Sequence, residues 1–203
     1  AAFMLPILQR LTTGPLRRVR ALVVAPTREL AEQIHQISLD LAKNTKVRSV
    51  SIYGGVSKSN QVSKLRSGVE IVIACPGRLL DLVNDGEIDL SHVEVLVLDE
   101  ADRMCDMGFL PDIRRILRLL PAQRQTLFFF FFMTEEIRHL ADTFLKDPVT
   151  AQIGQIAPAK TVSHALYPVP DKLKKNLLVA MLEQTATGRI LIFTRTKYRA
   201  RNL

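Results

Sequence analysis

The sequence predicts an α/β fold, a parallel sheet with helices on both faces. Two observations carry this. Short apolar runs of strand length alternate along the chain with segments whose apolar residues recur at helical spacing. The runs are apolar almost throughout instead of alternating, as expected of strands buried on both faces. The clearest is residues 93–98, VEVLVL, which leads straight into the carboxylates Asp99, Glu100 and Asp102. The carboxyl ends of such strands are where open α/β sheets bind ligands.

Residues 1–11, AAFMLPILQRL, read as a helix broken or bent by Pro6, which lacks a backbone donor. A basic loop, 14–20, leads to strand 21–25. Pro26 and Thr27 close that strand, and the Thr27 hydroxyl is placed to cap the next helix. That helix covers about 28–43, with Leu30, Ile34, Ile37 and Leu41 as its buried stripe. Strand 47–53 ends at Gly54-Gly55, and a polar helix over about 57–66 follows. Strand 69–74 is turned by Cys75-Pro76-Gly77-Arg78 into helix 79–83, which Gly86 ends. Strand 93–98 is the fourth. Pro111 suits the first turn of helix 111–120. Residues 125–132 form the fifth strand. Thr134 caps a helix ending near Lys146, and 149–153 is a candidate sixth strand. Residues 154–160, GQIAPAK, read as a linker. Beyond it the alternation restarts: strand 162–167, helix 171–184, strand 189–193 and the basic start of another helix.

The chain has 203 residues, 47% of them apolar, enough to bury a core. Two cysteines, Cys75 and Cys105, make no disulfide scaffold and suit a reducing cytoplasm. The densest apolar runs, 1–8 and 127–133, are too short to span a bilayer. The first residues lack the basic segment of a signal peptide and begin in the middle of a pattern. The net charge of +8 favours a polyanionic partner. Residues 1–154 hold 19 Lys+Arg against 18 Asp+Glu, whereas 155–203 hold 9 against 2, so the excess lies in the last quarter.

The adjacent acids at the fourth strand end can divide the labour of a hydrolytic site. Asp99 can hold Mg²⁺, directly or through water, because that ion prefers oxygen ligands and keeps several waters. Glu100 can position or deprotonate a water. A solvated acidic loop would carry the same residues, so the surrounding pattern has to decide.

Five separated motifs decide it. Pro26-Thr27-Arg28-Glu29-Leu30, Gly54-Gly55, Cys75-Pro76-Gly77-Arg78, Asp99-Glu100-Ala101-Asp102 and Ile190-Leu191-Ile192-Phe193-Thr194 stand in order on strand ends. As a set they resemble the DEAD-box family of ATP-dependent RNA helicases, over the whole chain. The segment 107–117, MGFLPDIRRIL, is similar to bacterial members of that family. The resemblance implies RecA-like domains of the P-loop NTPase type that close over ATP·Mg²⁺ and RNA. Residues 1–153 would be the first such domain without its P-loop, 154–160 the linker, and 161–203 the start of a truncated second. Asp99 would coordinate Mg²⁺, Glu100 would activate the water, and Asp102 would link the nucleotide site to the rest of the machine. Pro26, Thr27, Arg28, Gly54, Gly55, Pro76, Gly77 and Arg78 would grip RNA phosphates and ribose without reading bases.

The chemistry of these residues suits that division. Glycines let backbone N–H groups approach a phosphate. Thr27 and Pro76 lie at helix starts, which favour anions. Arg28 and Arg78 add charged, bidentate hydrogen bonds.

The sequence departs from the family pattern in three places. It contains no G-x-x-x-x-G-K-[ST], the loop that holds the phosphates in this class. Where the family has Ser-Ala-Thr, this chain has Phe130, Phe131 and Phe132. As a buried strand extension, these rings should overpack at about 1–3 kcal/mol per site, and an uncharged run of this kind is aggregation-prone. Cys75 replaces the family's usual Thr. The expectation is thus a DEAD-box helicase whose chain as given hydrolyses ATP poorly or not at all. The alternatives are a catalytically inactive RNA-binding remnant of the same fold and, further off, a RecA-like ATPase acting on DNA or protein.

Overall fold

The computed structural model describes residues 2–152, 163, 165–185 and 188–203. The chain divides into two compact units, Ala1–Thr150 and Ala151–Leu203.

The first unit is built on five strands: β1 (Ala21–Val24), β2 (Ser49–Ile52), β3 (Ile71–Ala74), β4 (Val95–Leu98) and β5 (Gln125–Phe128). All pair in parallel in the order β2-β3-β1-β4-β5. The middle three are apolar and fully buried, as both faces are covered. The register is level. Val24 lies opposite both Ala74 and Leu98, Ile52 opposite Ala74, and Phe128 opposite Leu98. Every strand therefore ends in one row, and the segments that follow share a single edge.

Among the described residues, seven helices cover the sheet: α1 (Met4–Leu11), α2 (Arg28–Ala42), α3 (Lys58–Arg66), α4 (Pro76–Asn84), α5 (Ala101–Asp106), α6 (Leu110–Leu119) and α7 (Glu135–Phe144). Alternate strand residues face opposite ways, so two cores form. Ala21, Val23, Ile71, Ile73, Val95 and Val97 pack with α1 and α2. Leu22, Val24, Val72, Ala74, Leu96 and Leu98 pack with the other five helices. The chain steps from β1 outward to β2, then back across the sheet for every later strand. A right-handed crossover in the reversed direction places the helix on the opposite face, which separates α2 from α3 to α6.

Polar ties secure the edge from which the strands start. Glu70 is buried, and its carboxylate accepts from the Arg17 N–H at 2.5 Å and the Arg48 N–H at 2.6 Å. Buried Arg20 donates to Glu94 through Nε (2.6 Å) and Nη2 (3.3 Å), and through Nη1 to the carbonyls of Thr13 and Leu11. Gly68 stands at φ +84°, and a Cβ there would lie 2.6 Å from the Arg17 Cβ, so only glycine fits.

Several expectations change. The α2 stripe is rotated by one residue: Ala31, Ile34, His35, Ser38 and Ala42 are buried, while Leu41 is exposed. The small side chains let the helix lie close to the sheet and to α1. Helix α4 starts at Pro76, three residues earlier than its apolar residues indicate, because proline suits the first turn. The six-residue α5 went unseen because its sequence, ADRMCD, is too short to show a period. Strand β5 stops at Phe128 instead of Phe132, and described residues 149–152 form no sixth strand.

The second unit holds a 3₁₀ turn (Asp171–Leu173) continued by α8 (Lys174–Thr185), where a helix is expected, and the short α9 (Lys197–Arg201). Asp171 pairs with both Lys174 and Arg199. Described residues of the expected strands 162–167 and 189–193 join no ladder, and Leu166, Leu191 and Phe193 are largely exposed. A strand has no regular structure without a neighbour to satisfy its backbone groups. Residues 154–160 lie outside the described residues.

Candidate functional site

The level register brings four of the five motifs of the sequence to one sheet edge. Segments 25–28, 53–55, 75–78 and 99–102 each leave the row of strand ends, and so does the phenylalanine segment after β5. The fifth, residues 190–194, belongs to the second unit.

The acidic segment begins with Asp99, whose N–H donates to the Val24 carbonyl at 3.0 Å and locks β4 to β1. The Asp99 Oδ1 accepts from the Glu100 N–H at 3.1 Å. Burial raises the Asp99 carboxyl above its ordinary range, opposed by that hydrogen bond and reinforced by the Glu100 charge. Such a group favours whatever supplies positive charge to it. Glu100 sits in the left-handed region at φ 50°, rare for a residue with a side chain. Strain of this kind concentrates at functional sites. The twist starts α5 immediately after β4. The Glu100 Oε2 pairs with Arg103 Nη1 at 2.9 Å, a solvent-exposed contact.

Asp102 turns to the neighbouring strand end. Its Oδ2 accepts from the N–H groups of Phe131 (3.0 Å) and Phe132 (2.9 Å). The Phe129 carbonyl accepts from the Ala101 N–H at 2.9 Å. The acidic segment and the phenylalanine segment are thus joined by backbone bonds that any side chain would allow. The expected overpacking does not occur. Phe130 alone packs against the core, while the Phe131 and Phe132 rings stand 68% and 55% exposed, edge to face at 4.9 Å. The run leaves the sheet before it can be buried. Accordingly, Phe131→Ser with Phe132→Thr is expected to change stability by less than about 0.5 kcal/mol. It should raise solubility by removing an exposed apolar patch. Thermal unfolding and the concentration at which the chain precipitates check this; a loss of several degrees would show that the rings hold the segment.

On the other half of the edge, Thr27 caps α2, its hydroxyl accepting from the Leu30 N–H at 3.3 Å. Pro26 is buried beneath it and serves as a strand stop. Arg28 is exposed, its guanidinium carbon 5.0 Å from the centre of the Tyr53 ring. Gly54 and Gly55 are open to solvent with no atom within 4 Å of a Cβ built on either, and Gly55 has φ +78°. Gly77 is equally open at the start of α4, behind Pro76 in the first helical position. These are places where a ligand can reach backbone N–H groups. Arg78 is more enclosed. It donates to the Val56 carbonyl at 3.3 Å and lies 3.5 Å from Asp81, with 15% of its side chain exposed. It therefore braces the glycine turn as well as standing beside it. Burial pushes the neighbouring Cys75 thiol up to about 11, with the Glu29 charge adding to the effect, so the sulfur stays protonated.

Sequence reasoning missed Tyr53 and Glu32 at this edge. The one signal was the position of Tyr53, a single aromatic directly before two glycines.

A strained acidic turn and two open helix starts thus share one edge of a parallel sheet. Residues 1–130 match the family described as DEAD/DEAH box helicase, and the chain belongs to that family. It is 41% identical, over 98% of its length, to the ATP-dependent RNA helicase DBP3 of Lodderomyces elongisporus, covering 39% of that protein. It is 42% identical over 97% of its length to the DEAD-box ATP-dependent RNA helicase 20 of Oryza sativa subsp. japonica, of which it covers 41%. The chain spans about two fifths of the length of these relatives. Among solved structures, a hypothetical ATP-dependent RNA helicase from Sulfolobus tokodaii superposes with a TM-score of 0.66 at 38% identity, over 72% of this chain and 42% of that one. A DEAD box protein from Methanococcus jannaschii gives 0.65 at 33%, over 71% and 39%.

Proposed function

We propose that this chain is part of an ATP-dependent RNA helicase and supplies its acidic turn and one RNA-gripping edge. The observation that supports this most is the single level edge on which residues 26–28, 54–55, 76–78 and 99–102 converge. In this reading residues 1–153 are the first RecA-like domain, 161–203 begin the second, and the protein works in the cytoplasm.

Among the described residues no group of three or more His, Cys, Asp or Glu side chains could hold a metal. In this reading Asp99 contributes a carboxylate, which fits Mg²⁺ because that ion keeps waters and takes phosphate oxygens. Mg²⁺ held there would offset the charge of the phosphates. As the water oxygen bonds to the terminal phosphorus and the bond from that phosphorus to the ADP oxygen breaks, Glu100 would take the water's proton on its carboxylate. To do so it leaves Arg103, an exposed pair worth only about 0.2–1 kcal/mol. Asp102 carries a shift of the acidic turn to the backbone of residues 131 and 132. Arg28 and the free N–H groups near Gly54, Gly55 and Gly77 bind RNA phosphates, contacts that carry no base information. Arg78 holds the glycine turn and offers its remaining donors to the same strand.

The absence of a G-x-x-x-x-G-K-[ST] motif from the sequence favours a second reading for the chain as given: it binds RNA without turnover. Both readings meet one experiment. Binding of a single-stranded RNA oligonucleotide is followed by fluorescence anisotropy at several salt concentrations, with and without ATP·Mg²⁺. Affinity should fall steeply with salt, with a logarithmic slope near −0.7 per phosphate contacted, and ATP·Mg²⁺ should leave it unchanged. Salt-independent binding would remove the phosphate grip. Tightening by ATP·Mg²⁺ would show a nucleotide site that works without the P-loop sequence.

A further inference from the structure

We propose that Tyr53 and Glu32 position Arg28, holding its guanidinium ready for a nucleic-acid phosphate without neutralising it. The inference rests on the reading that Arg28 grips RNA, and it adds two residues which that reading does not contain.

Arg28 is an unfavourable choice for its place. It is the first residue of α2, where the helix dipole repels a cation and favours an anion. Glu32 follows one turn later on the same face, and an isolated helix would pair the two, leaving Arg28 spent on its own neighbour. The fold prevents this. The Glu32 Oε2 instead accepts from the Ser51 hydroxyl at 2.9 Å and the Tyr53 hydroxyl at 3.1 Å, both at the end of β2. Arg28 forms no ion pair among the described residues. It lies over the Tyr53 ring, 5.0 Å from its centre.

The consequences follow from the chemistry of the three groups. A ring face attracts a guanidinium but takes none of its hydrogen bonds, so the planar fork of donors stays free. The tyrosine hydroxyl, tied to Glu32, anchors the far end of the side chain and so keeps the ring beneath the guanidinium. Fixing the long arginine side chain before a ligand arrives lowers the entropy lost on binding. Tyr53 also immediately precedes Gly54 and Gly55, so the arginine it steers stands beside the open glycine turn. A bound phosphate would complete the site by supplying the anionic partner that Arg28 lacks among the described residues; Glu29, in the same first turn, forms no ion pair with it.

The test compares the full chain with four variants in RNA anisotropy across a salt series. Arg28→Ala should weaken binding about tenfold or more, as a charged hydrogen bond to phosphate is lost, and should reduce the salt slope by about 0.7. Tyr53→Leu should weaken it by about two- to fivefold and blunt the slope in the same direction, with unchanged thermal unfolding. Tyr53→Phe keeps the ring but loses the tie to Glu32, and should bind between Tyr53→Leu and wild type; full wild-type binding by Tyr53→Phe would confine the positioning role to the ring and remove Glu32 from it. Arg28→Ala with Tyr53→Leu should bind no worse than Arg28→Ala alone. A second measurement needs no RNA: the Arg28 Nε–H resonance should lose its ring-current shift in Tyr53→Leu. Wild-type binding by Tyr53→Leu alongside weakened Arg28→Ala overturns the positioning role and leaves the RNA role of Arg28 intact. Wild-type binding by Arg28→Ala removes that RNA role, and the positioning role falls with it. An unchanged Arg28 resonance overturns the geometry itself.

Discussion

Glu94→Ala is expected to destabilise the first unit by about 2 kcal/mol, less than the 3–5 kcal/mol typical of breaking a fully buried pair. The discount has a structural reason. The Arg20 side chain is 6% exposed but that of Glu94 is 34% exposed, and Arg20 keeps the carbonyls of Thr13 and Leu11 as partners. What the variant leaves behind is a guanidinium in the interior with no carboxylate opposite. Arg10, which approaches Glu94 at 3.5 Å, loses its partner too. Thermal unfolding should report a fall of about 4–8 °C for a unit of this size. The difference from wild type should depend on pH. The hydrogen bond from Arg20 holds the Glu94 carboxyl below its ordinary value, with Arg10 assisting. A group whose pKa is depressed by folding stabilises fully above its unfolded value and loses that contribution as pH falls through the folded one. The gap between wild type and Glu94→Ala should therefore be widest near neutrality and close in acid. A gap independent of pH would mean that packing, not charge, sets the cost.

Glu100→Gln carries the other large effect. In a polypeptide that includes a P-loop, it should lower ATP turnover at least about 100-fold, the usual contribution of a positioned general base. ATP binding should persist, because Asp99 and the open helix starts remain. Glutamine has the same length and the same strained φ, so melting should change little. The exposed pair with Arg103 is lost, and such pairs contribute about 0.2–1 kcal/mol at most. Single-turnover hydrolysis and equilibrium nucleotide binding, measured on the same preparation, separate the two properties. Turnover that survives the change would move the water-activating role to another residue. A simultaneous loss of binding would show that Glu100 holds the nucleotide instead of acting on the water.

Much of the architecture is legible in the amino-acid sequence. Apolar runs such as LVV and VLVL place the central strands, since only a strand covered on both faces can afford no polar side chain. Pro26, Gly54-Gly55, Pro76 and Asp99 mark where strands stop, because each ends a ladder or starts a helix for a local reason. The first unit obeys these signals closely. The phenylalanine run does not: its residues favour a strand individually, yet beyond Phe128 the chain turns away along the acidic segment and is held there by Asp102. The described residues of the strand-like runs 162–167 and 189–193 differ for another reason, as propensity without a neighbouring strand makes no ladder.

The sequence by itself determined the alternation of elements, the identity of the strand ends and the acidic turn, because these depend on side-chain chemistry over a few consecutive residues. Only the tertiary structure decided that the strands end level and so share one edge, that Asp102 grips the backbone of the phenylalanine segment, and that Glu32 is drawn from Arg28 to the hydroxyls of Ser51 in β2 and Tyr53 just after it. Each of these is a contact between segments far apart in the chain, set by sheet order and register. Local preference cannot express such contacts, since the same residues one register away would meet different partners.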